Sequence, residues 1–415
     1  MPGDDVIIIR VLIKMQEQEK KRLLITASTF PRYVGDTEPR FILDLAVELQ
    51  KYFQVTVLVP AAPDAESTEV LEGIRVERYH YFPVHRLETL CYPGAIVPRI
   101  REKKVRALLV PFLFAGLYYA IWKRRKDYDY VHAHWIIPQG IVQSLFPMPY
   151  LLTGHGGDVT SLNRNPVKYL KKRAIRRAER FTVVSEALKI EALGLFAEKE
   201  QEQIASKIAV QPMGCQSRRF GVAHRRSNYW NQGEERVVLF VGRLAEKKGV
   251  SYLIEAMQWI EGKLVIVGDG PLKGELVKQA HRLLPENKVL FMGARSHEEL
   301  PVIYASADVF AAPSVTAKDK DKEGFGLVIL EAMASGLPVA AFASGGITEI
   351  IRHEENGLLA QERDSAELAC QINRLLYDEE LRSRIIGNMN ATVRLYDYEA
   401  VGKRYAELMQ SRVRM

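Results

Sequence analysis

Five apolar runs in the second half of the chain each stop at a turn built on glycine or proline. Val237–Val241 runs into Gly242-Arg243, Leu264–Val267 into Gly268-Asp269-Gly270-Pro271, and Val289–Phe291 into Met292-Gly293. Val309–Ala311 leads to Pro313-Ser314, and Pro338–Ala341 to Ser344-Gly345-Gly346. Short β-branched runs separated by helix-length segments predict parallel strands joined by crossover helices. A doubly wound sheet sets its strand-end turns along one edge, and ligands bind in the crevice there.

Inside this series lies Glu323-Gly-Phe-Gly-Leu-Val-Ile-Leu-Glu331, continuing into Ala332-Met333-Ala334-Ser335-Gly336-Leu337-Pro338. Two glycines free the backbone just before an apolar helix begins. A helix start has unpaired N–H groups and partial positive charge, so it suits a phosphate. Glu323 lies before the start and Glu331 two turns into the helix, where each can accept from hydroxyls. The plainer reading is a buried helix with a flexible entrance and two solvated acids. Arg243 and Lys248, five residues apart across a turn, can reach one anion together, as an alternative to ordinary surface charge.

The first half carries the same alternation more loosely. Leu23–Ala27, the loop 30–39, a helix pattern over 40–51 and Val55–Val59 read as one parallel βαβ unit. Loop 30–39, with Gly35, then lies beyond a strand's carboxyl end. Tyr130–His134 reads as a strand ending in histidines, and Tyr150–Thr153 as one ending in Gly154-His155-Gly156-Gly157-Asp158. A histidine flanked by glycines there lets a substrate approach the backbone, so His155 is a site candidate. His132 reads as a core histidine and His134 as ambiguous. Residues 74–99, rich in aromatics and prolines, suggest an irregular surface segment.

Ala107–Trp122 is a run of sixteen uncharged residues between basic ends. That is shorter than the ~20 needed to cross a bilayer, so a core helix is favoured over an interfacial membrane segment. Val167–Arg180 is a basic amphipathic helix, either a solvated face or a contact for anionic lipid headgroups. The net charge of +7 fits an anionic substrate or membrane and does not argue for nucleic acid. Three scattered cysteines show no metal spacing and no disulfide framework, which points to a reducing compartment. A length of 415 residues exceeds a single core. No cleavable signal is evident, and Met15 could equally be the start.

These motifs are familiar together. Val241-Gly-Arg-Leu with Lys247-Lys-Gly, Val267-Gly-Asp-Gly-Pro, Glu323-Gly-Phe-Gly with Glu331-Ala-Met-Ala-Ser-Gly-Leu-Pro-Val, Gly345-Gly with Thr348-Glu-Ile, and Glu355-Asn-Gly-Leu-Leu follow in order over about 120 residues. The second half thereby resembles the retaining nucleotide-sugar glycosyltransferases of family four. The first half matches more loosely, through Ala133-His134-Trp135, Pro138-Gln-Gly140 and Gly154-His155-Gly156 with Asp158. The resemblance implies an α/β GT-B fold: two Rossmann-like, doubly wound parallel-sheet domains facing a central cleft. On that fold we expect an extension at 1–20 and an acceptor-side domain at 21–216. A linker at 217–235, a nucleotide-sugar-binding domain at 236–395 and a helix crossing back at 396–415 complete it.

The resemblance also implies roles. His155, Glu323, Arg243 and Lys248 would form the catalytic set. Gly35, Gly242, Arg243, Lys248, Gly268, Gly293, Glu323, Phe325, Gly326, Leu327 and Glu331 would hold the donor, with the two cations on its diphosphate, Glu323 on the sugar and Glu331 on the ribose. His134 and Asp158 would lie on the acceptor side. No cofactor and no metal are implied; the substrate would be a UDP- or GDP-sugar. A carbohydrate, lipid-linked or small-molecule acceptor, a cytoplasmic location, and peripheral contact with an anionic membrane complete the expectation. Rival readings are a nucleotide-sugar epimerase, a phosphorolytic variant, and a non-catalytic nucleotide-sugar-binding partner. Two positions depart from the family. The first loop has Gly35-Asp36 where two glycines are common, and Met213-Gly214-Cys215-Gln216 lacks the acid of the usual Asn-Gly-Val-Asp.

Overall fold

The computed structural model describes residues 20–411 apart from 95, 228, 231–234, 319 and 320. Residues 1–19 of the expected extension, and 228 and 231–234 of the expected linker, fall outside the described residues. The first sheet contains β1 (Arg22–Thr26), β2 (Gln54–Pro60), β3 (Thr68–Leu71), β4 (Ile74–Tyr79), β5 (Tyr130–His134), β6 (Tyr150–Gly154), β7 (Arg180–Val183) and β8 (Ile208–Val210). The second contains β9 (Val237–Val241), β10 (Lys263–Val267), β11 (Val289–Gly293), β12 (Val309–Ala312), β13 (Val339–Phe342) and β14 (Leu358–Ala360). Strands β5, β6, β9, β10, β12 and β13 are buried along their whole length. Helices cover both faces of a parallel sheet, so its inner strands lose the polar–apolar alternation and become continuous apolar runs.

The strand orders are β3-β4-β2-β1-β5-β6-β7-β8 and β11-β10-β9-β12-β13-β14. Apart from the antiparallel edge strand β3, each order reverses once, between β1 and β5 in the first sheet and between β9 and β12 in the second. Chains leaving the two strands at such a point turn to opposite sides, which opens a crevice at the carboxyl ends. Between β9 and β12 the register runs only from Val309↔Val238 to Phe310↔Leu239. The ends carrying Gly242 and Pro313 therefore run on past the paired residues.

Sequence and structure differ at residues 74–79. They form β4, parallel to β2 and antiparallel to the edge strand β3, not an irregular segment. Arg75, Glu77 and Arg78 hid the strand by breaking its apolar pattern. Ion pairs hold these charges: Arg78 to Glu69 at 2.7 Å, and Glu77 to Arg75 at 2.8 Å and Arg124 at 2.5 Å. The helix Val110–Arg124 is a core helix on one face only. Leu113, Leu117 and Ile121 are buried while Phe112, Tyr119 and Trp122 are exposed.

The last helix, Tyr398–Gln410, returns to the first half of the chain. Tyr398 Oη donates to Phe41 O and Tyr405 Oη to Gln211 O, each at 2.9 Å. Gly402 lies so close to the helix Phe41–Leu49 that a Cβ would come within 2.7 Å of Glu48 Cβ. Where the chain passes between the halves, Cys215 N donates to Tyr396 O at 2.8 Å and Tyr398 N to Cys215 O at 3.2 Å. The two crossings are thus bonded to each other. Gln216, in place of the usual acid, donates to Asp44 Oδ1 at 3.1 Å.

Candidate active site

Both reversal points face the same cleft, and their loops touch across it. A Cβ on Gly324 would come within 2.7 Å of His155 O, one on Gly94 within 3.3 Å of Arg243 Nη1, and one on Gly35 within 3.8 Å of Glu298 Oε1. These contacts set His155 against the 323–327 turn and Gly94 against Arg243 across the cleft, while Gly35 lies beside Glu298 in the loop beyond β11.

On the second domain, the turn at Gly268 has a steric reason. Gly268 has φ +137°, and a Cβ there would sit 1.9 Å from Gly242 O. The β9 and β10 ends press together, so Arg243 is aimed by backbone contact. Gly268 N donates in turn to Gly293 O at 2.8 Å. The turn after Arg243 is tied to the loop beyond β12: Val315 N donates to Lys247 O at 2.8 Å, and Lys247 pairs with Asp321 at 3.0 Å. Lys248 Nζ is thereby held on Glu323 Oε2 as a close ion pair. Burial would raise the Glu323 pKa, but Lys248 and Lys247 outweigh it and hold the carboxyl below its ordinary value.

The helix Leu327–Ala334 starts at Gly326, whose φ of +100° turns the chain into it, and no side chain caps that start. The N–H groups of Phe325, Gly326 and Leu327 meet no acceptor among the described residues. Uncapped amides and aligned peptide dipoles make this the anion-attracting point of the cleft. The Phe325 ring is buried against Tyr396, with centroids 5.1 Å apart, so the returning segment braces this loop. From below, Gly346 N donates to Glu323 O at 3.1 Å, and a Cβ on Gly345 would lie 2.4 Å from that oxygen. The Gly345-Gly346 pair is required by that approach. Glu331 accepts from Tyr304 Oη at 2.9 Å. Burial lifts its pKa to about 7; Tyr304 and Lys248 oppose that rise and the Asp44 charge adds to it.

On the first domain, His155 sits in an aromatic box. Its ring centroid is 5.0 Å from Trp135 and 5.2 Å from both Phe41 and His134. Trp135 has φ +69°, a costly value for a bulky residue that the surrounding contacts hold in place. His155 Nε2 lies 3.0 Å from His134 Nδ1, and His134 is 0% exposed. His134 therefore stands behind His155 and reaches the cleft only through it. Its Nε2 is buried without a partner. A buried N–H without an acceptor costs more than an empty lone pair, which assigns the His134 proton to Nδ1, donated to His155. The His155 proton is then on Nδ1, free to donate to a ligand. Burial holds both imidazoles neutral, His155 with a pKa of about 3.

Asp158, expected beside the acceptor, is spent on the backbone. Its carboxylate accepts from Ile136 N at 2.8 Å and from His155 N and Gly156 N at 3.0 Å. It pins the loop that presents His155. Beneath that loop Lys171, read from sequence as part of a basic face, is 0% exposed. It donates to Val159 O, Ser161 O and Asn163 Oδ1 at 2.8, 2.9 and 2.5 Å. Asp36, in place of a second glycine, folds inward and accepts from Arg32 N and Thr37 N at 2.8 Å while pairing with the Arg32 side chain at 2.8 Å. These bonds tie the loop together where a second glycine is common.

Several participants carried no sequence signal. Tyr304 and Gly94 lie outside the sequence motifs, and no motif singles out Glu38 in loop 30–39 or Phe41 in the helix after it. Gly94 N donates to Glu38 Oε1 at 2.8 Å in front of Arg243. Among the described residues no group of three or more His, Cys, Asp or Glu is placed to hold a metal ion. The cleft can therefore take an extended dianion between two cations and a helix start, with a carboxylate on either side for hydroxyl groups and an imidazole N–H opposite.

The chain matches two family models: the description "Glycosyltransferase Family 4" over residues 39–201 and "Glycosyl transferases group 1" over 224–391. An uncharacterised glycosyltransferase of Methanocaldococcus jannaschii is 31% identical over 297 residues, 66% of this chain and 73% of the relative. Among solved structures, sucrose-phosphate synthase of Thermosynechococcus elongatus superposes with a TM-score of 0.72 at 23% identity, covering 94% of this chain and 98% of its own. The HepE protein of Anabaena, solved in complex with UDP-glucose, gives 0.68 at 24% identity, covering 93% and 98%. This chain shares the GT-B fold of both.

Proposed function

From the premise that the chain belongs to the family 4, group 1 glycosyltransferases, we propose that it moves a sugar from a nucleoside diphosphate to an acceptor hydroxyl in glycan, glycolipid or polysaccharide synthesis, with retained anomeric configuration. One observation carries the reading: Arg243, the Lys248–Glu323 pair and the uncapped start of helix Leu327–Ala334 converge on the cleft opposite His155. The fold-level likeness to a protein holding UDP-glucose supports a nucleotide-sugar donor.

In this reading Arg243 and Lys248 bind the diphosphate, with its far oxygens on the amides at 325–327. Lys248 has three N–H groups and keeps Glu323 while taking a phosphate oxygen. Glu323 accepts from hydroxyls of the transferred sugar, Glu331 from the ribose, and His155 Nδ1–H donates to a donor-sugar oxygen. The acceptor oxygen attacks the anomeric carbon on the face the diphosphate leaves. The C–O bond to the acceptor forms as the C–O bond to phosphate breaks, and the acceptor proton passes to the departing phosphate oxygen. Charge grows on that oxygen in the transition state, and fixed donors there stabilise it by about 3–4 kcal/mol each, by analogy with an oxyanion hole. Closure of the domains excludes water and limits donor hydrolysis. The fixed cations supply charge that other transferases draw from a divalent cation, so a chelator is expected to leave turnover unchanged.

Glu331 adds a pH dependence. With a pKa of about 7, its carboxyl is ionised in only part of the empty molecules at neutral pH. The ionised form is the better acceptor for ribose hydroxyls, so donor binding releases a proton. Affinity for a nucleotide sugar, whose diphosphate diester does not titrate here, is expected to tighten several-fold as pH rises through about 7 and then level off. Titration calorimetry checks this, with Glu331→Gln expected to give a flat profile.

The direct test is a thermal-shift screen of nucleotide sugars, followed by a product assay with and without acceptors. A ligand at ~100-fold over its Kd stabilises by about 2.7 kcal/mol. Release of nucleoside diphosphate that depends on an acceptor supports transfer. Conversion of the donor with no acceptor present supports the epimerase reading instead.

A further inference from the structure

The segment Lys104–Arg124 has 21 residues and contains a stretch long and apolar enough to cross a bilayer. It does not cross one here: β4 before it and β5 after it lie in the same sheet, so both its ends belong to one domain. Its inner face packs on the core through Leu113, Leu117, Ala120 and Ile121. Its outer face is apolar too. Val105, Leu108, Phe112, Ala115, Tyr119 and Trp122 follow at spacings of three and four residues, one stripe along a helix, and all six are exposed. Leu108, Phe112, Tyr119 and Trp122 keep 71%, 45%, 62% and 44% of their surfaces open to solvent. Soluble surfaces rarely leave so long an aromatic and aliphatic stripe uncovered without a partner.

Charge at both ends identifies the partner. Lys103 and Lys104 precede the stripe; Lys123, Arg125 and Lys126 follow it, and Arg125 lies over the Trp122 ring at 4.7 Å. The neighbouring Glu102 is already paired with Arg99 and Arg106 at 2.7 and 2.9 Å. Trp and Tyr between clusters of Lys and Arg match a lipid headgroup boundary, with rings at the headgroup level and cations on anionic phosphates. A second copy of the chain is a poorer fit, because a two-fold contact would set one basic collar against the other. The second basic helix, Val167–Arg177, offers less: Lys171 is buried, and Glu200 takes Lys172 and Arg176 at 3.3 and 2.5 Å.

We propose that this stripe is a docking face for an anionic membrane surface, on which the first domain rests peripherally through Phe112, Tyr119 and Trp122 with the flanking lysines on lipid phosphates. The inference does not depend on what the acceptor is. The test is co-sedimentation of the full chain with phosphatidylcholine vesicles, plain or carrying about one-third phosphatidylglycerol. Binding is expected to the anionic vesicles, to weaken with salt, and to be far weaker on plain ones. The variant Phe112→Ser/Tyr119→Ser/Trp122→Ser is expected to lose at least about 10-fold in affinity, and Lys123→Ser/Lys126→Ser about 10-fold on anionic vesicles alone. Donor binding is expected to stay unchanged in both, and melting temperature in the lysine variant; the triple variant, which loses the edge-on contact of Phe112 with Phe82 at 4.8 Å, is expected to melt lower but to stay folded. Three results would overturn the proposal: no binding by the parent protein, undiminished binding by the triple variant, or a dimer that the triple variant converts to a monomer.

Discussion

Replacing Arg243 with alanine is expected to lower turnover by about 10²-fold or more while leaving the fold intact. The rate effect follows from losing one pre-aimed donor to the leaving phosphate, about 3 kcal/mol of transition-state stabilisation. Stability is expected to hold because the guanidinium is exposed in the cleft and makes no ion pair among the described residues. Its placement is a backbone property, set by the approach of Gly268 to Gly242 O. Arg243→Lys is expected to recover only part of the rate, since a point charge cannot reproduce a planar fork on phosphate. Steady-state kinetics beside thermal melting separate the two effects. Unchanged turnover in Arg243→Ala would remove the residue from the mechanism.

A larger combined effect is expected at Lys248. Lys248→Met removes a phosphate ligand, for a turnover loss of about 10²–10³-fold. It also strips Glu323 of its partner. The two side chains are only 16% and 14% exposed, and Glu323 is held ionised by Lys248 against the cost of burial. Removing one member of a buried pair costs about 3–5 kcal/mol, because the other charge is left uncompensated. The linkage has a definite sign. The Glu323 pKa is lowered in the folded protein, so the pair stabilises above the ordinary carboxylate range and is lost as pH falls through the depressed value. In Lys248→Met burial is left to dominate, so the Glu323 pKa is expected to rise and the dependence to invert, with stability lost as pH rises through the raised value. The double variant Lys248→Met/Glu323→Gln is expected to regain most of the stability and none of the activity, measured by denaturant unfolding and by turnover. Recovery of turnover in the double variant would make the pair structural only.

The second domain was legible in the sequence because its turns are fixed by steric contact, and steric contact leaves glycine. Gly242, Gly268, Gly345 and Gly346 each sit where a neighbouring backbone excludes a Cβ or demands positive φ. The apolar runs of β9, β10, β12 and β13 are buried on both faces and read as strands unaided. The first domain was less legible because charge does structural work there. β4 is studded with arginine and glutamate that pair with each other, with Glu69 of β3 and with Arg124 of the long helix, and a period-two apolar pattern does not detect it. Lys171 looked like surface because nothing local shows that the carbonyls of Val159 and Ser161 close over it. His134 and Asp158 were found by motif, yet their places were not: both support His155 from behind, through a ring nitrogen and three backbone amides. Tyr304 on Glu331, and the approach of Gly94 to Arg243, are tertiary contacts between distant segments.

The most direct test is a crystal structure of the protein with a bound nucleoside-diphosphate sugar. The diphosphate is expected within hydrogen-bonding distance of Arg243, Lys248 and the amides at 325–327, with the ribose on Glu331 and the sugar between Glu323 and His155. A donor bound outside the cleft, or one in the cleft with its phosphates away from Arg243 and the 323–331 segment, would contradict the account.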